Sequence, residues 1–198
     1  MHGKLYAPDE VEIVRAERKF SGDGRAARIW GMKNARGAYP NDHSKMMIVV
    51  GRESIKKAAH VSSARPSSTP DHFEALTVLP ALIKNAILVE SHPDEHDDKD
   101  VEQVHRFLVP LRVGNRHYRA KLTVKQYRSS VRPGYYTHEL SEIKLPASKP
   151  LTHAESGSTS KGTAGTLSIG ELLTGAKRQD GEPFLKAIRY VVRLGRSV

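Results

Sequence analysis

The stretch between residues 104 and 126 constrains this chain most. Two β-like runs, 104–113 and 116–126, flank the dipeptide Gly114-Asn115. Both of those residue types tolerate the positive φ that a two-residue hairpin loop requires. With the loop placed there, Val113 pairs with Arg116, Arg112 with His117 and Leu111 with Tyr118. Side chains alternate between faces along a strand. One face therefore collects His105, Phe107, Val109, Leu111, Tyr118, Ala120, Leu122 and Val124. The other collects Arg106, Leu108, Pro110, Arg112, His117, Arg119, Lys121, Thr123 and Lys125. A lone hairpin is marginal in water, so the apolar face must be covered.

The cover is predicted upstream. Ile55, Ala58 and Ala59 lie at helical spacing within residues 52–60. Phe73, Leu76, Leu79, Leu82 and Ile83 form a longer helical series, with Thr69 or Asp71 as N-cap and Pro80 as a kink. Short strands are expected at residues 45–50, 87–90 and 135–143. The fold class is then α+β, with N-terminal helices before an antiparallel sheet of about four strands. Residues 1–40 read as an irregular extension, with a strand or helix candidate at 11–18 and turn clusters at 21–24 and 35–42. The domain is placed at 41–145. Residues 146–166, rich in Ser, Thr, Gly, Lys and Ala, read as a flexible linker, and 167–198 as a short helical tail.

Charge narrows the function. Thirty-two Lys and Arg against 22 Asp and Glu leave a formal net charge of +10, which points to polyanions: nucleic acid first, an anionic membrane surface second. The apolar run Met46-Met47-Ile48-Val49-Val50 is far short of a bilayer span, so no stable membrane insertion is expected. The absence of cysteine excludes disulfides, thiolate metal sites and a cysteine nucleophile. Between residues 103 and 128 there are seven Lys and Arg and no acid. A row of cations on a rigid face can follow a phosphate backbone by displacing its condensed counterions. The ordinary alternative is the solvated face of an antiparallel sheet.

The order of segments is familiar. Leu79-Pro80-Ala81-Leu82-Ile83-Lys84-Asn85-Ala86-Ile87-Leu88-Val89-Glu90-Ser91 precedes an acidic loop. Val104-His105-Arg106-Phe107, Tyr118-Arg119-Ala120-Lys121-Leu122-Thr123-Val124 and Tyr135-Tyr136-Thr137-His138-Glu139-Leu140 follow, with Asn41-Asp42 and Ser54-Ile55-Lys56-Lys57 upstream. Over about residues 40–145 this resembles the nuclease-like domains of phage and mobile-element polyvalent proteins and MuF-type toxins. Those domains are grouped with the barnase–EndoU–colicin–RelE fold class. The resemblance implies helices before a four-stranded sheet, and a ribonuclease toxin that uses neither metal nor cofactor. It further implies tRNA or mRNA as partner, a possible cognate inhibitor or immunity protein, and the bacterial cytoplasm as location. Catalytic residues vary among such domains.

Metal-independent cleavage by the 2′-hydroxyl needs a base, an acid and cations for the charge developing on phosphate. His138 and His60 suit the proton transfers. Lys121 and Arg106 suit the phosphate, and Thr123 its orientation. Lys57, one helical turn from Ser54, is nominated through the resemblance. Arg112, His117, Arg119 and Lys125 would hold the RNA backbone, and His105 reads as a structural histidine of the core face. The scheme requires His138 and Lys121 on one face of the sheet; otherwise only a binding surface remains. His92, Asp94, His96 and Asp98 alternate as metal-ligand types, but Pro93 opposes a helical arrangement and no metal is expected. There is no Gly-x-Ser-x-Gly elbow, and Gly157–Gly162 lacks the ending of a P-loop. The competing reading on the same fold is a non-catalytic module that binds nucleic acid or another protein. A third is a peripheral membrane protein using the basic C-terminal helix.

Overall fold

The structure, a computed structural model, describes residues 10–60, 69–94, 98–128, 135–142 and 166–173. Its centre is the expected hairpin. Strands β6 (Val101–Val113) and β7 (Arg116–Tyr127) pair antiparallel with Val113 opposite Arg116, Leu111 opposite Tyr118 and His105 opposite Val124. Gly114 takes φ +57° in the loop, a value costly for residues with a Cβ. Strand β8 (Tyr135–Glu142) adds antiparallel to β7. On the other side, β5 (Ile87–His92) adds antiparallel to the first half of β6.

Residues 10–40, expected to be irregular apart from a strand or helix candidate at 11–18, hold more regular structure than that. They carry β1 (Glu10–Glu12), β2 (Val14–Ala16), helix α1 (Gly24–Asn34) and β3 (Gly37–Pro40). Strand β2 pairs parallel with the end of β6, Val14 opposite Leu111 and Arg15 opposite Arg112. The sheet is therefore mixed rather than antiparallel throughout. β3 forms a separate two-stranded ribbon with β4 (Met47–Val50), close to the strand expected at 45–50.

The helical layer follows: α2 (Arg52–Ala58), α3 (Thr69–His72), a 3-10 segment (Phe73–Val78) and α4 (Leu79–Asn85). The single kinked helix expected over 71–83 is thus split in three. Pro80 has no N–H to give a preceding turn and falls in the first turn of α4, where none is needed. Phe73, Leu76, Leu79, Leu82 and Ile83 are all fully buried against Phe107, Val109, Leu111, Tyr118, Ala120 and Leu122 of the sheet. Each such burial contributes about 1.5–3 kcal/mol to the fold.

Two buried carboxylates tie the N-terminal residues to that layer. Glu74 accepts the backbone N–H groups of Lys19, Phe20 and Ser21 at 2.8, 2.8 and 3.0 Å. Asp71 accepts Arg18 Nε at 3.1 Å and the Tyr118 hydroxyl at 2.6 Å. Asn41 acts similarly further on: its amide donates to the carbonyls of Ile83 and Ala86, both at 2.7 Å, while its oxygen accepts from Ser44.

A smaller core covers the middle of the opposite face. Strand β9 (Thr166–Ser168) pairs antiparallel with β1, and α5 (Ile169–Leu173) follows. Leu172 and Leu173 pack with Val11, Ile87 and Leu108. Residues 166–168 are thus strand, where the linker and helical tail were expected to meet. The rest of the linker and the helix expected at 183–194 lie outside the described residues.

Candidate nucleic-acid interface

The basic face of the hairpin forms, but neighbouring segments supply the acids its own sequence lacks. Arg106 Nη1 lies 3.4 Å from Glu90 Oε2 of β5, the two side chains only 16% and 6% exposed. Lys125 Nζ is 2.7 Å from Asp94 Oδ1. Arg119 donates to the Leu172 carbonyl at 3.2 Å, and Arg112 Nε to the Gly114 carbonyl at 2.7 Å. Lys121 and Thr123 are half-buried on the same face, opposite Leu108 and Arg106.

In the register of β7 with β8, position 138 stands across from Leu122 and position 139 across from Lys121. Lys57 and His60 are exposed at the end of α2, and α2 packs against β8 from the helical side. Lys57 and His60 therefore belong to one side of the sheet, and Arg106, Lys121 and Thr123 to the other. Ser54 is buried while Lys57 is exposed, so the two do not share a surface.

His105 is buried in a chain of polar groups that closes one end of the core face. Gln126 Nε2 donates to Glu102 Oε2 at 2.8 Å, which turns Gln126 Oε1 towards His105 Nε2 at 2.9 Å. That oxygen requires N–H at Nε2, leaving His105 Nδ1 to accept the Ser91 hydroxyl at 2.8 Å. The chain joins β5, β6 and β7 and gives His105 the structural place expected of it.

The sequence reading missed Arg15. Parallel pairing sets exposed Arg15 opposite Arg112, and Arg112 stands opposite His117. The three form one row across β2, β6 and β7 near the hairpin loop. Its local signal was only the strand candidate at 11–18; a parallel partner about a hundred residues away leaves none. Beneath the row, Tyr118 is fully buried, its pKa pushed up to about 12, first by burial and then by its hydrogen bond to Asp71.

The hairpin, its helical cover and the start of β8 fall within one family model, the large polyvalent protein-associated domain 3, which matches residues 22–135. The chain belongs to that family. No curated protein and no solved structure matches it. In this polyvalent protein-associated domain, Arg112, His117, Arg119 and Lys121 lie inside the matched span, whereas Arg15, β9 and α5 lie outside it. The match begins at residue 22, inside the stretch expected to be irregular.

Of the residues considered for a metal, Asp94 is engaged by Lys125 and His92 Nδ1 lies 2.6 Å from the Pro93 carbonyl. His96 is outside the described residues. Among the described residues, no group of three or more His, Cys, Asp or Glu is placed to hold a metal ion. No described helix is long and apolar enough to cross a membrane.

His117 gives the domain a pH signature. Its pKa is lowered from 6.5, first by partial burial and then by the positive charge of Arg112. The unfolded chain then binds more protons than the folded one between the depressed value and 6.5. Stability attributable to this group rises with pH through that window and is lost as pH falls below about 6.5. His117→Gln should reduce the slope of unfolding free energy against pH there, as read by urea denaturation at a series of pH values. An unchanged slope would show that His117 titrates alike in both states.

Proposed function

We propose that this domain is an RNA-binding module of a polyvalent protein, holding the RNA backbone on the row Arg15, Arg112 and His117. The observation that carries the reading is the alignment of these residues on three adjacent strands at the solvated end of the basic face. The strands fix their spacing at about 5 Å each, so no loop must be ordered when phosphate binds. Arg106 and Lys125 are held by Glu90 and Asp94, so the binding surface is narrower than the full row of cations. The partner in this reading is tRNA or mRNA in a bacterial cytoplasm.

A second reading is a metal-independent endoribonuclease of the barnase–EndoU–colicin–RelE kind, serving as a phage- or mobile-element-linked toxin with a cognate inhibitor. It is favoured by exposed Lys57 on α2 and exposed His60 just beyond its end, where α2 packs against β8, the strand that carries position 138. Arg106, Lys121 and Thr123 have no catalytic role in it.

One experiment tests both. Single-stranded RNA is titrated in EDTA at several salt concentrations, and the RNA is then examined for 2′,3′-cyclic phosphate ends. Arg15→Gln with Arg112→Gln should weaken binding by at least about tenfold at 0.1 M salt and flatten the salt dependence by about 0.7 for each phosphate no longer neutralised. Unaltered affinity would sink the binding reading. Cyclic ends that vanish in His60→Ala with His138→Ala would make the ribonuclease reading the correct one.

A further inference from the structure

Two cations of the sheet, Arg106 and Lys125, are paired within the fold, and a second concentration of positive charge lies elsewhere. Residues 24–59 carry eight Lys and Arg (residues 25, 28, 33, 36, 45, 52, 56 and 57) against two acids, Asp42 and Glu53. That is 8 − 2 = +6 of a chain total of +10. The acid just before this stretch, Asp23, is the N-cap of α1 and accepts the N–H groups of Arg25 and Ala26 at 2.9 and 3.0 Å.

Helix α1 turns Ala27 and Gly31 into the core and leaves Arg25, Arg28 and Lys33 exposed, with Arg36 exposed just beyond its end. At 100° per residue, Arg25, Arg28 and Lys33 fall on the side of the helix away from Ala27 and Gly31. From Arg25 to Lys33 the stripe runs about 12 Å. Helix α2 packs beside α1 and extends it with exposed Arg52 and Lys57, while Lys56 is paired with Glu53 at 2.6 Å. Two helices thus present one cationic surface on the far side of the core from the row on the sheet.

We propose that this α1–α2 surface docks a double-helical nucleic acid by its phosphate backbone. Double-stranded DNA carries a charge every ~1.7 Å along its axis and releases counterions to each cation that replaces them. The surface supplies fixed cations for that exchange. A bilayer fits less well, because membrane-surface helices insert a broad apolar face, whereas the apolar side of α1 is committed to the core and only Ile29, 65% exposed, stands among the arginines. The inference is independent of the RNA reading for the sheet.

The test uses the full chain and a DNA duplex of about two helical turns, ~20 base pairs. Wild type should bind with a steep salt dependence. Arg25→Gln, Arg28→Gln, Lys33→Gln and Arg36→Gln together should weaken duplex binding at least about thirtyfold at 0.1 M salt and lower the slope by about 3. Arg15→Gln with Arg112→Gln should leave duplex binding unchanged. If the sheet variant abolishes duplex binding and the α1 variant does not, the inference is overturned and the RNA reading survives. Loss of duplex binding in the α1 variant, with no single-stranded RNA bound by wild type, supports the inference and removes the RNA reading. Binding of wild type to phosphatidylserine vesicles but not to the duplex also overturns it. Should the fourfold variant misfold, acetylation of wild-type Lys33 decides the question: protection by the duplex supports the docking, and full reactivity refutes it.

Discussion

Glu74→Ala should lower the unfolding free energy by about 3–5 kcal/mol, more than any other single polar truncation in the helical layer. The carboxylate is buried and receives three consecutive backbone N–H groups, from Lys19, Phe20 and Ser21. Alanine leaves three donors without their acceptor at once, and a buried unsatisfied donor costs about 1–3 kcal/mol. The N–H of Phe20 is the most deeply placed, and Phe20 itself packs in the main core. Glu74→Gln should cost less. The oxygen bonded to Phe20 and Ser21 is retained, and an amide NH2 then faces the Lys19 N–H. Urea denaturation of the three proteins checks this ordering. A loss below about 1 kcal/mol for Glu74→Ala would mean that water readily replaces the carboxylate.

The second large effect distinguishes a structural arginine from a phosphate ligand. Arg106→Ala removes one partner of a nearly enclosed ion pair with Glu90, for an expected cost of about 3–5 kcal/mol. Replacing both partners, Arg106→Met with Glu90→Leu, should recover most of that loss, because apolar residues of similar volume need no compensating charge. RNA affinity of the double variant should stay within about twofold of wild type, since no phosphate ligand is removed. A drop of tenfold or more would return Arg106 to the binding surface.

Much of the sheet was legible because its signals are local. Gly114-Asn115 sets the loop and period-2 alternation sets the faces, so the β6–β7 register follows from the sequence. What escaped was non-local. β2 pairs parallel with β6, and such pairing leaves no turn signal between its strands. The acids that complement Arg106 and Lys125 come from Glu90 and Asp94, so charge counted along the hairpin alone overstated what the surface offers. The pairing of β7 with β8, Leu122 opposite position 138, is likewise beyond what periodicity can set.

Helix α1 escaped for a different reason. Gly24 falls in a turn cluster and Gly31 is a poor helix former, yet packing requires both. A Cβ on Gly24 would come within 2.9 Å of the Ala59 carbonyl oxygen, and one on Gly31 within 2.9 Å of Ile55 Cγ2. Local propensity and tertiary fit oppose each other at these two positions, and fit prevails.

The ribbon of β1 and β9 bears on how such a domain sits in a large host protein. Glu10 stands directly across from Ser168, about 5 Å away, and the matched span 22–135 lies between them in sequence. A span whose flanking strands meet can be carried within another chain without forcing the neighbouring segments apart. Transplanted between two neighbouring residues of a surface loop, it would hang as a side branch and leave the path of its host almost unchanged.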